Sequence, residues 1–550
     1  MNNTYAKSRY FPWLLGLSFL IAFSCTAPFR DLYGIEARNG LMVKEMLRGG
    51  IGFIPHVMGR PYPDYPPLYF WLAMLFSKLS GGVSTLATIL PSALSGAGLV
   101  VITFLLGSYL SLRMGIVSAL VLGTFPEFWF KASRATIDML LAFEIALALF
   151  LLWKARYSES SVQKKKLGFV AAVSVLAALL TKGPVGVVLI GVIWASYLVI
   201  TGKLKEFAVF LGLYTLLVSS CVVIYLALVW HQGGMDLVKD VVRSQVLGRL
   251  GGAPNKSLLF YEKYILEAAG PWWFWVIAAL YKWWKGGDAE RNGDGTGKKK
   301  SSRSLMKFAL IWFVVVLGIF SMASSRHGRY LLPAFPALAI IMSFFVEKIL
   351  AYTAGGTATR VLEKVITGFF FAFLVGISIL YFVADFPGKV SAMWALVWIV
   401  ILVLLWLLKE RVIIIPHGVF TKQVVCSWAI LSGITLLVFP IISHRESGRS
   451  FVENVEAKIP ENIPIILFKI KQDGDGIKYA LHSNRPSSAL KFIFRTKELA
   501  FCSRPCLLVA YKKDVEQLLA VGNSKKVKLL GEGLIHHKPV VAYLLGEGSV

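Results

Sequence analysis

Charge is what this chain has least of: 16% of its 550 residues are Asp, Glu, Lys or Arg, against 56% hydrophobic residues. A soluble domain carries about 25% charged residues, so this composition excludes an ordinary cytosolic protein. Acid is scarcer than base, with 31 Asp and Glu facing 58 Lys and Arg for a formal net charge of +27. The excess falls in short loops between apolar runs and not in one patch, which reads as membrane topology and excludes nucleic acid as a partner. Cysteine is sparse, five in all. Cys25, Cys221 and Cys426 lie in apolar runs as small buried hydrophobes. Cys502 and Cys506 have no histidine at ligand spacing, which argues against zinc, and whether they form a disulfide is left open. No small-residue cleavage site follows the first apolar run, so that run reads as a retained anchor. Internal repeats, the mark of many transporters, are also missing.

What is there in abundance is long apolar sequence. Runs of roughly 20 residues, the length that crosses a bilayer, stand near 12–28, 84–107, 115–130, 137–153, 167–181, 184–201, 206–230, 271–284, 306–323, 331–350, 364–384, 390–408 and 423–442, with 68–80 interfacial. Lys7, Arg9, Lys154, Arg156, Lys164, Lys203, Lys299, Lys348, Arg360 and Lys409 then share one side. The positive-inside rule makes that side cytoplasmic. An odd number of crossings puts the 29–66 loop, the 231–270 loop and the carboxyl-terminal region on the opposite face. Loop 285–303, rich in Gly, Lys and Ser, reads as a flexible linker. From 444 onward, short β-rich runs such as Ile465–Phe468 and Cys506–Ala510 alternate with amphipathic stretches, the pattern of a small α/β domain.

Acids and bases gather in the outer loops. Phe29-Arg30-Asp31-Leu32-Tyr33-Gly34-Ile35-Glu36-Ala37-Arg38 opens the first, and Tyr62-Pro63-Asp64-Tyr65-Pro66-Pro67 closes it. Arg134 and Asp138 stand before a span, Thr181-Lys182-Gly183-Pro184 breaks one helix and starts another, Arg243 and Arg249 lie in the long loop, and Arg329-Tyr330-Leu331-Leu332-Pro333 precedes a further span. Ionisable groups at the mouth of a membrane domain are costly and mark function by default. Cations there hold a phosphate, while carboxylates serve as general bases or steady an oxocarbenium-like centre. Plainer roles compete: a Glu36–Arg38 loop ion pair, a helix cap at Asp138, a turn at Asp64, snorkelling at Lys182, and an interfacial belt at Trp272 and Trp273.

In this order, Ile35-Glu36-Ala37-Arg38, Asp64-Tyr65-Pro66-Pro67, Arg134-x-x-x-Asp138, Thr181-Lys182-Gly183-Pro184 and Tyr330-Leu331-Leu332-Pro333 resemble the polytopic GT-C glycosyltransferases of the protein O-mannosyltransferase and lipid A aminoarabinose transferase type. By motif the resemblance covers about residues 10–340. It implies an all-α polytopic membrane domain of about 13 transmembrane helices over 1–443, and a small extracytoplasmic α/β domain over 444–550. It further implies a bacterial inner-membrane enzyme, amino terminus cytoplasmic and carboxyl-terminal domain periplasmic. Such an enzyme moves a sugar from a polyprenyl-phosphate donor, with inversion, to a lipid A-like glycolipid, another glycan or a protein. Catalytic candidates are Glu36, Asp138, Asp31 and Asp64; donor-phosphate candidates are Arg38, Lys182, Arg243, Arg249, Arg329 and Tyr330. Glu36 and Asp138 are expected not to hold the core. No cofactor is expected and a metal is not indicated. Three departures bear on the lipid A branch and not on the wider transferase reading. Ile35 stands where an acid usually precedes Glu36, Tyr65 replaces a lysine, and Gln245 replaces the histidine of that branch's zinc site. The competing reading is a transporter that binds the same lipid-linked sugar.

Overall fold

The computed structural model of the chain is mainly helical and describes residues 2–50, 52–247, 259–284, 296–352, 418–495, 505–515 and 527–546, with isolated positions at 257, 364, 368, 372, 375 and 376. The chain divides into two compact units. The first gathers Met1–Cys25, Pro63–Tyr69 and Pro91–Leu437; the second gathers Thr26–Tyr62, Phe70–Leu90 and Val438–Val550. The second therefore contains the carboxyl-terminal region together with the first loop.

In a bilayer every backbone polar group must be paired internally, so the apolar runs become helices. Among the described residues of the chain, six stretches are long and apolar enough to span. There are seven if Pro126–Ala132 and Ile137–Arg156, bent by 109°, count as one. Of the spans expected from sequence, 390–408 falls wholly and 364–384 almost wholly outside the described residues. The run expected at 115–130 is broken, because helix Leu112–Gly123 ends before Phe125 and Pro126 opens a new helix. Proline has no N–H to continue the ladder but fits the first turn of a fresh helix. Helix Leu204–Val242 outruns its expected span and is interrupted at Gly233 and Gly234.

The core of the first unit is aromatic. Trp129, Trp153, Trp272, Trp275 and Trp312 are fully buried, and Phe23 meets Trp129 edge-on with ring centroids 5.3 Å apart. Edge-to-face pairs add to what area burial alone provides. Trp272 does not serve as an interfacial belt: it is buried and its Nε1 donates to Thr124 Oγ1 at 3.1 Å.

The second unit is α/β. Its five-stranded sheet runs, edge to edge, Leu490–Ile493, Ile465–Phe468, Cys506–Tyr511, Lys538–Leu545 and Val527–Ile535. The first three strands are mutually parallel and the last two antiparallel. Ile465–Phe468 is buried throughout, as a central parallel strand covered on both faces should be. Cys506 is disulfide-bonded, whereas Cys25, Cys221 and Cys426 are free; Cys502 lies outside the described residues. The first loop contributes helix Ile35–Gly49, which packs on helix Asp475–His482. Lys44 Nζ donates to the carbonyls of Ala480, Leu481 and Ser483 at 2.9, 2.7 and 2.6 Å. These groups lie at a helix end, where carbonyls lack intrahelical partners and a cation suits the dipole. A Cβ on Gly40 would fall 2.5 Å from Leu32 Cδ1 and 3.3 Å from Leu481, so a larger residue there would have to push these leucine side chains aside.

Candidate functional site

In the first unit, three element ends converge. Asp138 lies in the first turn of helix Ile137–Arg156, Lys182 ends helix Ser161–Lys182, and Arg329 and Tyr330 lie in the short turn Gly328–Ala334. Lys182 Nζ is ion-paired and hydrogen-bonded to Asp138 Oδ1. Arg329 Nε stands 3.3 Å from Asp138 Oδ2, so each carboxylate oxygen faces a cation. The Tyr330 ring lies under Lys182 Nζ at 4.3 Å from its centroid, a cation–π contact that strengthens as water is removed. Asp138 and Lys182 are both buried.

Local sequence explains the aim of Lys182. Gly183 has φ +70°, a conformation that side chains disfavour, and a Cβ there would meet Gln245 Oε1 at 2.4 Å. Glycine therefore turns the chain sharply after Lys182, and Pro184 starts the next helix. Gln245 Nε2 donates to the Pro63 carbonyl at 2.9 Å and Ser244 Oγ to the same oxygen at 3.2 Å. This ties the Asp64-Tyr65 segment to the site, and Tyr65 interacts electrostatically with Arg329. Lys182, Gln245 and Tyr330 line a cavity of about 540 Å³ whose remaining wall includes Val185, Val188 and Phe320. A cationic end on an apolar cavity is the shape of a receptor for a lipid phosphate.

Gln245 does not fit a zinc site. A carboxamide that donates to a carbonyl is not the histidine such a site needs, and among the described residues no three His, Cys, Asp or Glu side chains cluster as metal ligands.

The remaining candidates are distributed as follows. Glu36, in the second unit, is wholly buried, and Arg30 clasps it with both Nη atoms at 2.8 and 2.9 Å. The Arg30 guanidinium stands 5.5 Å from the Tyr33 ring and 5.8 Å from that of Phe439. Arg38 instead donates to the Tyr62 hydroxyl at 2.9 Å. Asp31 accepts from Ser447 Oγ at 2.9 Å and pairs with Arg449 at 3.1 Å. Asp64 is half-buried and Arg243 exposed, while Arg249 lies outside the described residues. Glu36 and Asp138 were expected not to hold the core, yet both are buried in ion pairs, Glu36 with Arg30 and Asp138 with Lys182 and Arg329. Sequence reasoning passed over Arg30 and also Glu144. Glu144 is buried in the Asp138 helix and accepts from Thr181 Oγ1 at 2.8 Å. An acid inside an apolar span was the signal available for Glu144.

Residues 64–230 match the family described as dolichyl-phosphate-mannose-protein mannosyltransferase. The undecaprenyl phosphate-alpha-4-amino-4-deoxy-L-arabinose arabinosyl transferase of Pseudomonas savastanoi is 24% identical over 335 residues, 60% of this chain and 60% of that protein. An uncharacterized protein of Aquifex aeolicus is 27% identical over 58% of this chain and 59% of its own length. The chain thus spans about three fifths of these two relatives. The crystal structure of ArnT from Cupriavidus metallidurans bound to undecaprenyl phosphate superposes with a TM-score of 0.72, at 17% identity, covering 96% of this chain and 97% of that one. The fold is therefore that of this multi-pass membrane protein, and the resemblance read from the motifs is borne out.

Proposed function

We propose that this GT-C chain is an inverting glycosyltransferase of the bacterial inner membrane. It takes a sugar from a polyprenyl-phosphate donor and passes it to an acceptor on the outer face, either a lipid A-like glycolipid, another glycan or a protein. Residues 1–443 form its membrane catalytic domain in this reading, with the amino terminus cytoplasmic and the 444–550 domain periplasmic. The observation that carries the proposal is the Asp138–Lys182–Arg329–Tyr330 cluster at an apolar cavity.

In the proposed step an acceptor oxygen attacks the anomeric carbon from the face opposite the phosphate. The C–O bond to phosphate breaks with both electrons going to the phosphate oxygen, and the acceptor proton passes to a carboxylate. Charge on the phosphate grows from one to nearly two, so cations already in place favour the transition state over the ground state. Lys182 and Arg329 supply them, and the Tyr330 hydroxyl is a neutral donor. Arg38, Arg243 and Arg249 are the further proposed phosphate ligands. Asp138, with Lys182 on one carboxylate oxygen and Arg329 on the other, orients the cations and steadies positive charge on the sugar. Asp64, half-buried in the same unit, is the proposed base. Glu36, clasped by Arg30, and Asp31, held by Arg449, complete the proposed catalytic set.

The test is purified full-length protein with a polyprenyl-phosphate sugar and a lipid A-type acceptor, following free polyprenyl phosphate and the glycosylated acceptor. Both should rise in equal amounts. Sugar lipid that is moved across vesicles but never consumed would replace the transferase with a transporter.

A further inference from the structure

A second cavity of the first unit, larger than the one beside Lys182, lies elsewhere and no part of the transfer chemistry uses it. Helices Ile137–Arg156, Pro184–Ile200, Leu204–Val242 and Thr296–Ser321 contribute to about 1010 Å³ of space. Its polar lining is basic, with Arg156, Lys164, Lys203 and Lys205 against a single acid, Glu206. Glu206 is already ion-paired to Arg156. Among the described residues, Lys164, Lys203 and Lys205 have no carboxylate at ion-pairing distance. Hydroxyls stand beside these cations: Ser304 Oγ lies 2.7 Å from the Tyr157 oxygen and 2.9 Å from that of Tyr197.

The rest of the wall is apolar, with Leu152, Trp194, Leu198, Val209 and Phe210. On helix Leu204–Val242 the most apolar stretch is only 6% buried, and Val209 and Leu213 are exposed by 64% and 65%. In a membrane protein such a face meets acyl chains. The cavity therefore joins a cationic, hydroxyl-bearing end to a lipid-facing wall, the form in which basic pockets between transmembrane helices take anionic head groups.

We propose that this cavity binds an anionic phospholipid. The phosphodiester lies among Lys164, Lys203, Lys205 and Arg156, the glycerol hydroxyls meet Tyr157 and Ser304, and one acyl chain runs along Val209 and Phe210. A zwitterionic lipid would bring an ammonium among unpaired cations and is disfavoured. Inorganic phosphate would leave the apolar wall uncovered and gain nothing from it.

The experiment uses full-length protein in detergent with phosphatidylglycerol or phosphatidylcholine carrying the same photoreactive acyl chain. Adducts are mapped to peptides and inorganic phosphate is added as competitor. Phosphatidylglycerol should label the stretch from Trp194 to Phe210 preferentially and resist millimolar phosphate. Neutralising Lys164→Gln, Lys203→Gln and Lys205→Gln together should weaken that labelling by roughly fivefold per lysine, on the order of a hundredfold in all. Equal labelling by both lipids, labelling confined to other segments, or full displacement by phosphate overturns the proposal. The wild-type comparison of the two lipids decides the matter even where the triple variant fails to fold, since it needs no substitution.

Discussion

Replacing Lys182 with alanine removes an ammonium that has the Asp138 carboxylate on one side and the Tyr330 ring, 4.3 Å from its nitrogen, on the other. The donor phosphate carries one negative charge and the product nearly two, so a fixed ammonium contributes more to the transition state than to donor binding. Loss of one preorganised group of this kind costs about 100-fold in turnover, or about 3 kcal/mol. The fold should tolerate the change. Asp138 keeps Arg329 Nε at 3.3 Å, so the stability cost falls below the roughly 3–5 kcal/mol of a buried charge stripped of its partner. Lys182→Arg retains the charge but presents it as a planar fork on a different stem, and should recover part of the rate. The assay is release of polyprenyl phosphate at saturating donor, with donor KM and melting temperature measured on the same preparations. A Lys182→Ala protein with wild-type kcat and only a raised KM would refute the reasoning and leave Lys182 as a passive anchor for the lipid.

Arg30→Ala should cost the fold about 3–5 kcal/mol, because it takes the guanidinium from a wholly buried carboxylate. Arg30→Met combined with Glu36→Leu should melt closer to wild type, and a single variant with unchanged denaturation would show that the pair does not hold the unit. Gly183→Ala forces a side chain to φ +70° and against Gln245 Oε1; backbone strain of this kind costs roughly 1–3 kcal/mol. Turnover and melting temperature should fall together, and normal turnover would separate the turn from the aim of Lys182. His482 is held well below its ordinary value, at about 4, by burial, which outweighs the opposing Asp31 charge. The unfolded chain takes up a proton near pH 6.5 that the folded imidazole refuses until about pH 4. Stability is therefore lost as pH falls through that window, by on the order of 3 kcal/mol. Thermal melts across it should flatten in His482→Asn, and an unchanged slope would assign the loss to other groups.

Apolar spans, the Lys182-Gly183-Pro184 turn and the β-rich carboxyl-terminal runs were legible because each is written in a few consecutive residues. What was not legible depends on partners far along the chain. Helix Ile35–Gly49 carries mixed charge and a weak apolar pattern, yet Lys44 reaches carbonyls at Ala480 and beyond, so tertiary capping supports a helix that local periodicity did not announce. For Glu36 the plainer alternative to a functional role is an ion pair with Arg38, two residues away. Glu36 is instead clasped by Arg30, six residues back, with Phe439 beside the guanidinium. Nor could the convergence of Asp138 with Lys182 and Arg329 be read locally, since the three motifs are separate in sequence and only packing brings them together. The break at Phe125-Pro126 had a signal, the proline, but the hydrophobicity of the run on either side outweighed it.

The geometry of the cluster explains how an apolar unit keeps three charges without a large penalty, and why they suit a growing anion. Asp138 stands in the first turn of its helix and Lys182 in the last turn of another, which are the ends where the helix dipole favours an acid and a base respectively. Each charge is thus stabilised by its own backbone before it meets the other. One carboxylate between two cations leaves a net single positive charge. That balances a phosphodiester with one negative charge, so the donor can bind without displacing Asp138. As the sugar leaves, the phosphate gains almost a full second charge. The site then does best when further cations are at hand, which is the part proposed for Arg243 and Arg249. A transporter has no need for such an excess, because its cargo carries the same charge at the start and at the end. A second net positive charge at that phosphate is therefore what the transferase reading requires and a transporter does not.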